Sequence, residues 1–106
     1  GVANAMMLIP VMTFNLPACG QRLARVYDAV GTGTAGSEAE KAQWVVQEMG
    51  RMVRHLNIPT SLAPYGVPEA DLPALVESGM AVQRLLVNNP RKVEPADAEA
   101  IYRAVI

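Results

Sequence analysis

Few side chains in this 106-residue chain have the chemistry of catalysis or of metal binding. Cys19 is its only cysteine and His55 its only histidine. A cysteine nucleophile needs a histidine base within reach, and a zinc site needs about four converging ligands. Neither condition is met by the sequence pattern. We therefore predict that Cys19 is a small buried or half-buried residue, and that His55 lies at the end of a helix, where the helix dipole favours cations.

Three further patterns invite a functional interpretation that their surroundings do not support. Residues 31–36 read Gly-Thr-Gly-Thr-Ala-Gly and match the dinucleotide fingerprint, which requires a preceding strand. Because the residues before it have helical periodicity, we interpret it as an interhelical linker. Glu38 and Glu40 follow Ser37 and predict a helix cap rather than an acid–base pair, since catalytic carboxylates need a pocket. Arg91 is expected to tie its turn to a helix C-terminus rather than to bind a phosphate.

The elements that must position these residues are helices, because apolar residues recur at helical spacing along the chain. Residues 1–15 are apolar on every side, which is typical of a helix buried at the centre of a larger body. Pro10 is expected to bend this helix. Asn15 is expected to end it before the roughly 20 apolar residues that span a membrane. No capping residue precedes the helix, so we expect the chain to be a piece of a longer protein.

Four more helices are predicted after this first one. They run from about residue 17 or 21 to residue 31, from 37 to about 55, from 68 or 73 to 85 or 86, and from 94 or 95 to the end. No segment has the pattern of a convincing strand. The predicted fold class is all-α, with about five helices.

Composition narrows the classes of partner. Apolar residues make up 51% of the chain and the net charge is −1. The nine Lys and Arg are scattered and form no basic stripe, which argues against nucleic acid as a partner. A lone cysteine is typical of a reducing compartment, most simply the cytoplasm. The six Met are interpreted as core filling rather than as a groove for partner helices.

Several segments together resemble the iron-containing (group III) alcohol dehydrogenases, in that family's order and spacing. The opening Gly-Val-Ala-Asn-Ala resembles the residues that follow a metal-binding histidine in that family, and the similarity continues through residues 14–17, 56–62, 71–73, 89–91 and 97–103. The resemblance implies an N-terminal dinucleotide-binding domain and a C-terminal helical domain, with iron between them held by one Asp and three His. It further implies interconversion of alcohols with aldehydes or ketones by NAD or NADP.

By this resemblance, residues 1–106 are the C-terminal fragment of the helical metal-binding domain, without the dinucleotide-binding domain. The last ligand histidine would lie one residue before Gly1, so no catalytic, cofactor-binding or metal-binding residue is carried over. Leu85 stands about where some members have a cysteine, and it would give the substrate pocket an apolar wall. The fragment alone is expected to bind no metal or cofactor and to show no turnover.

The resemblance also implies the partners. These are the missing N-terminal part of the same protein or a second copy, and a small alcohol or aldehyde; no membrane and no nucleic acid are expected. Two alternatives stay open. One is a stand-alone helical interaction or oligomerisation module without catalytic activity. The other is a glycerol dehydrogenase, maleylacetate reductase or dehydroquinate synthase, which share the architecture, some with zinc. The Asn-Pro-Arg at residues 89–91 favours the iron alcohol dehydrogenases.

Overall fold

Five α-helices and two 3-10 turns build the part of the chain that the computed structural model describes, residues 2–30 and 36–106. The helices are α1 (Val2–Val30), α2 (Glu38–His55), α3 (Leu72–Met80), α4 (Gln83–Leu86) and α5 (Pro95–Arg103), with 3-10 turns at Ala63–Tyr65 and Glu69–Asp71. These ranges contain no β-strand, and the all-α class is confirmed. Most of the predicted linker at 31–36 lies outside the described residues, so its interpretation stays a prediction.

The helix α1 joins the first two predicted helices across a kink, and Pro10 and Pro17 lie inside it. The predicted break between these two helices is confirmed, although it lies at Cys19 rather than at Asn15. The non-helical backbone lies at Cys19 (φ −126°, ψ 18°) rather than at Pro10, where the bend was expected. Pro17 lacks the amide that would bond to the fourth residue before it, and this weakens the helix just ahead of Cys19. One bent helix therefore crosses the whole molecule.

The first half of α1 is less buried than its composition predicts. Met6 and Asn15 are buried, but Val2 is 49% and Leu8 37% exposed. The helix was expected to be buried at the centre of a larger body, and that expectation stays a prediction, because this chain by itself leaves part of the helix exposed. By length and composition α1 is apolar enough to cross a membrane. That is weak evidence, since helices of soluble cores pass the same test.

The main core lies between the second half of α1 and α2. Its buried members are Cys19, Leu23, Tyr27, Ala42, Val45 and Val46. The rings of Tyr27 and Trp44 meet edge to face, with centroids 5.1 Å apart, a favoured aromatic geometry. Cys19 is a buried free thiol, as predicted. The burial of these side chains joins α1 and α2 into a helical hairpin.

The predicted cap of α2 is confirmed, with a difference in detail. The Ser37 hydroxyl oxygen accepts a hydrogen bond from the Glu40 amide at 3.1 Å. The Glu40 carboxylate binds the Ser37 hydroxyl at 2.9 Å rather than the Ser37 amide. His55 is the last residue of α2 and is exposed, as predicted. The two glutamates of the first turn therefore stabilise the start of the helix.

The predicted fourth helix is broken in two. α3 ends at Met80, residue 82 is non-helical, and α4 is a single turn. The Gln83 side chain donates to the Met80 carbonyl at 2.6 Å, which satisfies a group left free at the helix end. The last helix begins at Pro95 as predicted. The break after α3 lets the chain turn back across α1 before α5 begins.

Leu23 and Val26 lie within one turn of α1 but differ in burial, and together they test the assignment of the core. Leu23 is 7% exposed, so Leu23→Ala should lower the free energy of unfolding by about 2–5 kcal/mol. Val26 is 45% exposed, so Val26→Ala should change it by less than about 0.5 kcal/mol. Urea unfolding followed by circular dichroism measures both. Equal losses from the two variants would show that the packed face of α1 is wrongly assigned.

Candidate functional site

The feature of the structure best suited to bind a ligand is an apolar cavity between α1, the α3–α4 segment and α5. Its volume is about 260 Å³, and it is open on one side. Twelve residues line it: Met7, Val11, Phe14, Gly79, Met80, Leu85, Leu86, Asn89, Val93, Ala98, Ile101 and Tyr102. Three separate elements are therefore needed to form one small site.

A pair of asparagines lies beside this cavity, and one of them, Asn89, lines it. The Asn15 amide donates to Asn89 Oδ1 at 2.9 Å, and the Asn89 amide donates to Asn15 Oδ1 at 2.7 Å. Asn89 also donates to the Arg91 carbonyl at 2.6 Å. Asn15 is only 3% exposed, and a buried amide must find such partners because burial without them is costly. The pair fixes the turn after α4 to the middle of α1.

Arg91 strengthens the same connection. Its Nη1 donates to the Phe14 carbonyl at 2.8 Å, and its guanidinium lies 4.2 Å from the centre of the Phe14 ring. The stacking is a cation–π contact. Arg91 therefore ties the turn to a helix, as the sequence predicted, but to the middle of α1 rather than to a helix end. The contact also holds Phe14 in the cavity wall.

The structure places the predicted pocket residue, Leu85, at the rim of the cavity, where it is 60% exposed. Cys19 and His55 are not brought to it: Cys19 lies in the α1–α2 core and His55 on the surface. Sequence reasoning missed Asn15 and Tyr102. The signal for Asn15 was an amide inside an apolar helix, which requires a buried polar partner. Tyr102 was seen only as part of the apolar side of the last helix.

The residues described here do not fit a metal site. Within 2–30 and 36–106, no three side chains of His, Cys, Asp or Glu come together in a way that could hold an ion. A second, larger groove lies beside α3 and α5. Three ionisable residues in its wall, Arg103, Glu99 and Glu69, bond to one another. There Arg103 donates to Glu99 at 3.0 Å and to Glu69 at 2.7 Å, and these bonds raise the pKa of its guanidinium. The cavity can thus bind apolar groups, but it supplies no reactive group of its own.

The asparagine pair can be tested by a double-mutant cycle. Asn15→Ala removes two hydrogen bonds to the half-buried Asn89 amide, each contributing about 0.5–1.5 kcal/mol, so it should cost about 1–3 kcal/mol of stability. Asn89→Ala should cost a similar amount. The double variant should cost less than the sum, with a coupling of roughly 0.5–3 kcal/mol. Urea unfolding measures all three.

Asn88→Ala is the matched control for this cycle. Asn88 is the exposed neighbour of Asn89, and its side chain makes one long hydrogen bond of 3.4 Å to the Arg84 carbonyl. Its replacement should change stability by less than about 0.5 kcal/mol. Strictly additive losses in the cycle would contradict the reciprocal bonding of Asn15 and Asn89.

Comparison with known proteins agrees with the resemblance seen in the sequence. The chain matches the Fe-containing alcohol dehydrogenase family, C-terminal, over residues 1–106. It is 34% identical over 98% of its length to long-chain-alcohol dehydrogenase 1 of Geobacillus thermodenitrificans, and 32% identical over 97% to 1,3-propanediol dehydrogenase of Citrobacter freundii. It is 29% identical over 96% to lactaldehyde reductase of Escherichia coli.

The chain spans 27% of the length of each of these three curated relatives. No solved structure gives a significant match. The family match covers every residue of the chain, and the relatives named above are oxidoreductases of alcohols and aldehydes. The chain therefore belongs to the Fe-containing alcohol dehydrogenase family, of which it represents the C-terminal part.

Proposed function

We propose that this chain is the C-terminal segment of an iron-dependent alcohol dehydrogenase, linked to NAD or NADP, that interconverts alcohols and aldehydes by hydride transfer. Its own contribution is helical scaffold and an apolar wall of the substrate cleft. The observation that carries the proposal is the apolar cavity with Leu85 at its rim, in a chain of this family. The relatives reported above are named for the oxidation of alcohols or the reduction of an aldehyde, and this supports alcohol–aldehyde interconversion as the reaction class.

The metal and the nicotinamide are assigned to residues outside this chain. The described side chains do not fit an ion site, so no step of the reaction is routed through them. If bound there, iron or zinc would supply a Lewis acid, and NAD or NADP would supply a hydride acceptor. What this chain contributes is the exclusion of water, because apolar walls strengthen every electrostatic interaction in the site that they enclose.

The partner proposed for the exposed apolar residues is the rest of the same protein. Apolar side chains are exposed on α1, at Val2 and Leu8, and at the two ends of α4, at Val82 and Val87. Large exposed apolar patches mark surfaces that another body covers. We propose that the whole protein lies in the cytoplasm, in keeping with the one free cysteine of this chain, and we propose no binding to nucleic acid or to a membrane.

The exposed face of α1 also favours a second candidate, a helical interaction module that pairs with another copy of itself. Such a module would bury the same apolar residues in a homodimer. The module candidate predicts a small protein without catalytic activity. The enzyme candidate predicts a larger protein with alcohol dehydrogenase activity. A glycerol dehydrogenase or maleylacetate reductase activity would leave the role of this segment unchanged.

The mass and the activity of the complete protein that contains this sequence distinguish the two candidates. The enzyme proposal expects an intact mass several-fold above the 11.3 kDa of this chain and NAD- or NADP-linked oxidation of alcohols. A chelator should abolish this activity, and added Fe²⁺ should restore it. Mass spectrometry and absorbance at the nicotinamide band measure these outcomes. A stable dimer of 11.3 kDa subunits without turnover would support the module instead.

Leu85→Ser in the complete protein tests the assigned pocket wall. Loss of a part-exposed leucine removes roughly 1 kcal/mol of apolar contact with the alcohol, so KM should rise about fivefold. The value of kcat should change little, because the contact is equal in ground and transition states. Leu56→Ser is the matched control, since Leu56 is 67% exposed and lies beyond α2, away from the cavity. Equal effects of the two variants would remove Leu85 from the pocket.

A further inference from the structure

We infer that the cavity between α1, the α3–α4 segment and α5 binds the hydrocarbon tail of the substrate, so that the enzyme prefers alcohols and aldehydes of medium chain length over short or polar ones. The inference rests on the proposed function and names its substrate class. Two observations carry it: the chemistry of the lining and the volume of the cavity.

The lining offers almost no hydrogen bonds to a ligand. Asn89 and Tyr102 provide its only side-chain nitrogen or oxygen atoms. Both ends of the Asn89 amide are already occupied, by Asn15 and by the Arg91 carbonyl. The Tyr102 hydroxyl lies against Gly79, where an added Cβ would be 2.7 Å from its oxygen. A second hydroxyl or a sulfonate placed here would lose its water without replacement, which is unfavourable.

The volume sets the length of the tail. A dry apolar cavity of about 150 Å³ holds benzene, which has six carbon atoms. At the same density the 260 Å³ of this cavity accommodates about ten carbon atoms. Met7 and Met80 lie in the wall, and the flexible methionine side chain adapts to ligands of irregular shape. Methanol, ethanol or a propanediol would leave most of the space unfilled.

A series of unbranched primary alcohols from two to twelve carbons tests the inference in the complete protein. Each methylene that enters the cavity should raise kcat/KM about fourfold, up to about eight to ten carbons, after which the increase should stop. Val11→Phe fills part of the cavity and should move this limit to shorter chains. Val26→Phe, the same change at an exposed site of α1, should leave the series unaltered. A flat series, or equal shifts in both variants, would overturn the inference.

Binding without turnover separates this inference from the proposed function. In the absence of nicotinamide, 1-octanol should raise the melting temperature of the complete protein more than 1-propanol at equal concentration, and Val11→Phe should reduce that difference. This result would stand even if no alcohol were oxidised, which would contradict the proposed function alone. Turnover of alcohols with no such difference would contradict the inference alone.

Tyr102→Phe tests the alternative that the cavity recognises a polar group of the ligand. The substitution keeps the shape of the side chain and removes its hydroxyl group, the one polar group of the lining that Asn15 and Arg91 do not engage. The slope of kcat/KM with chain length should persist in this variant. Loss of the slope, or a loss of activity confined to diols, would show that the cavity recognises a hydroxyl group and would overturn the inference.

Discussion

The reciprocal amide bonds between Asn15 and Asn89 are the constraint on which the rest of this structure depends. An amide in the middle of an apolar helix is unfavourable unless every hydrogen-bonding atom finds a partner. Asn15 finds that partner 74 residues later, in the turn after α4. Once the two amides pair, the position of the turn on α1 is fixed to within a hydrogen-bond length. The cavity exists because α4 and the start of the segment to α5 are held there.

The bend of α1 serves both halves of the molecule. Beyond Cys19 the helix packs on α2 and completes a conventional apolar core. Before Cys19 it provides one wall of the cavity with Met7, Val11 and Phe14. Ile9, Met12 and Leu16 also precede Cys19 and pack against the core, so the first half of α1 contributes both to the core and to the cavity wall. The scaffold and the ligand-binding wall are thus parts of one element.

Local chemistry made much of the fold predictable. The Ser37 cap, the proline at the start of α5 and the helical spacing of α2 depend on residues a few positions apart, and all three were predicted correctly. The errors came from distant contacts. Nothing near Asn15 in sequence shows that its amide is satisfied by Asn89. The close approach of Tyr102 to Gly79 is likewise visible only in three dimensions. Leu85 was placed by resemblance to a family, not by any pattern in the chain.

The separation of the two asparagines has a consequence for the order of folding. The α1–α2 hairpin joins residues close in sequence, so its formation requires the closure of a short loop. The Asn15–Asn89 contact joins residues 74 positions apart, and the entropy of closing a loop grows with its length. Contacts of high sequence separation form slowly for this reason. We expect an early species with a formed hairpin and an undocked C-terminal half, in which the methionines and aromatic rings of the future cavity are open to solvent and prone to association with other chains.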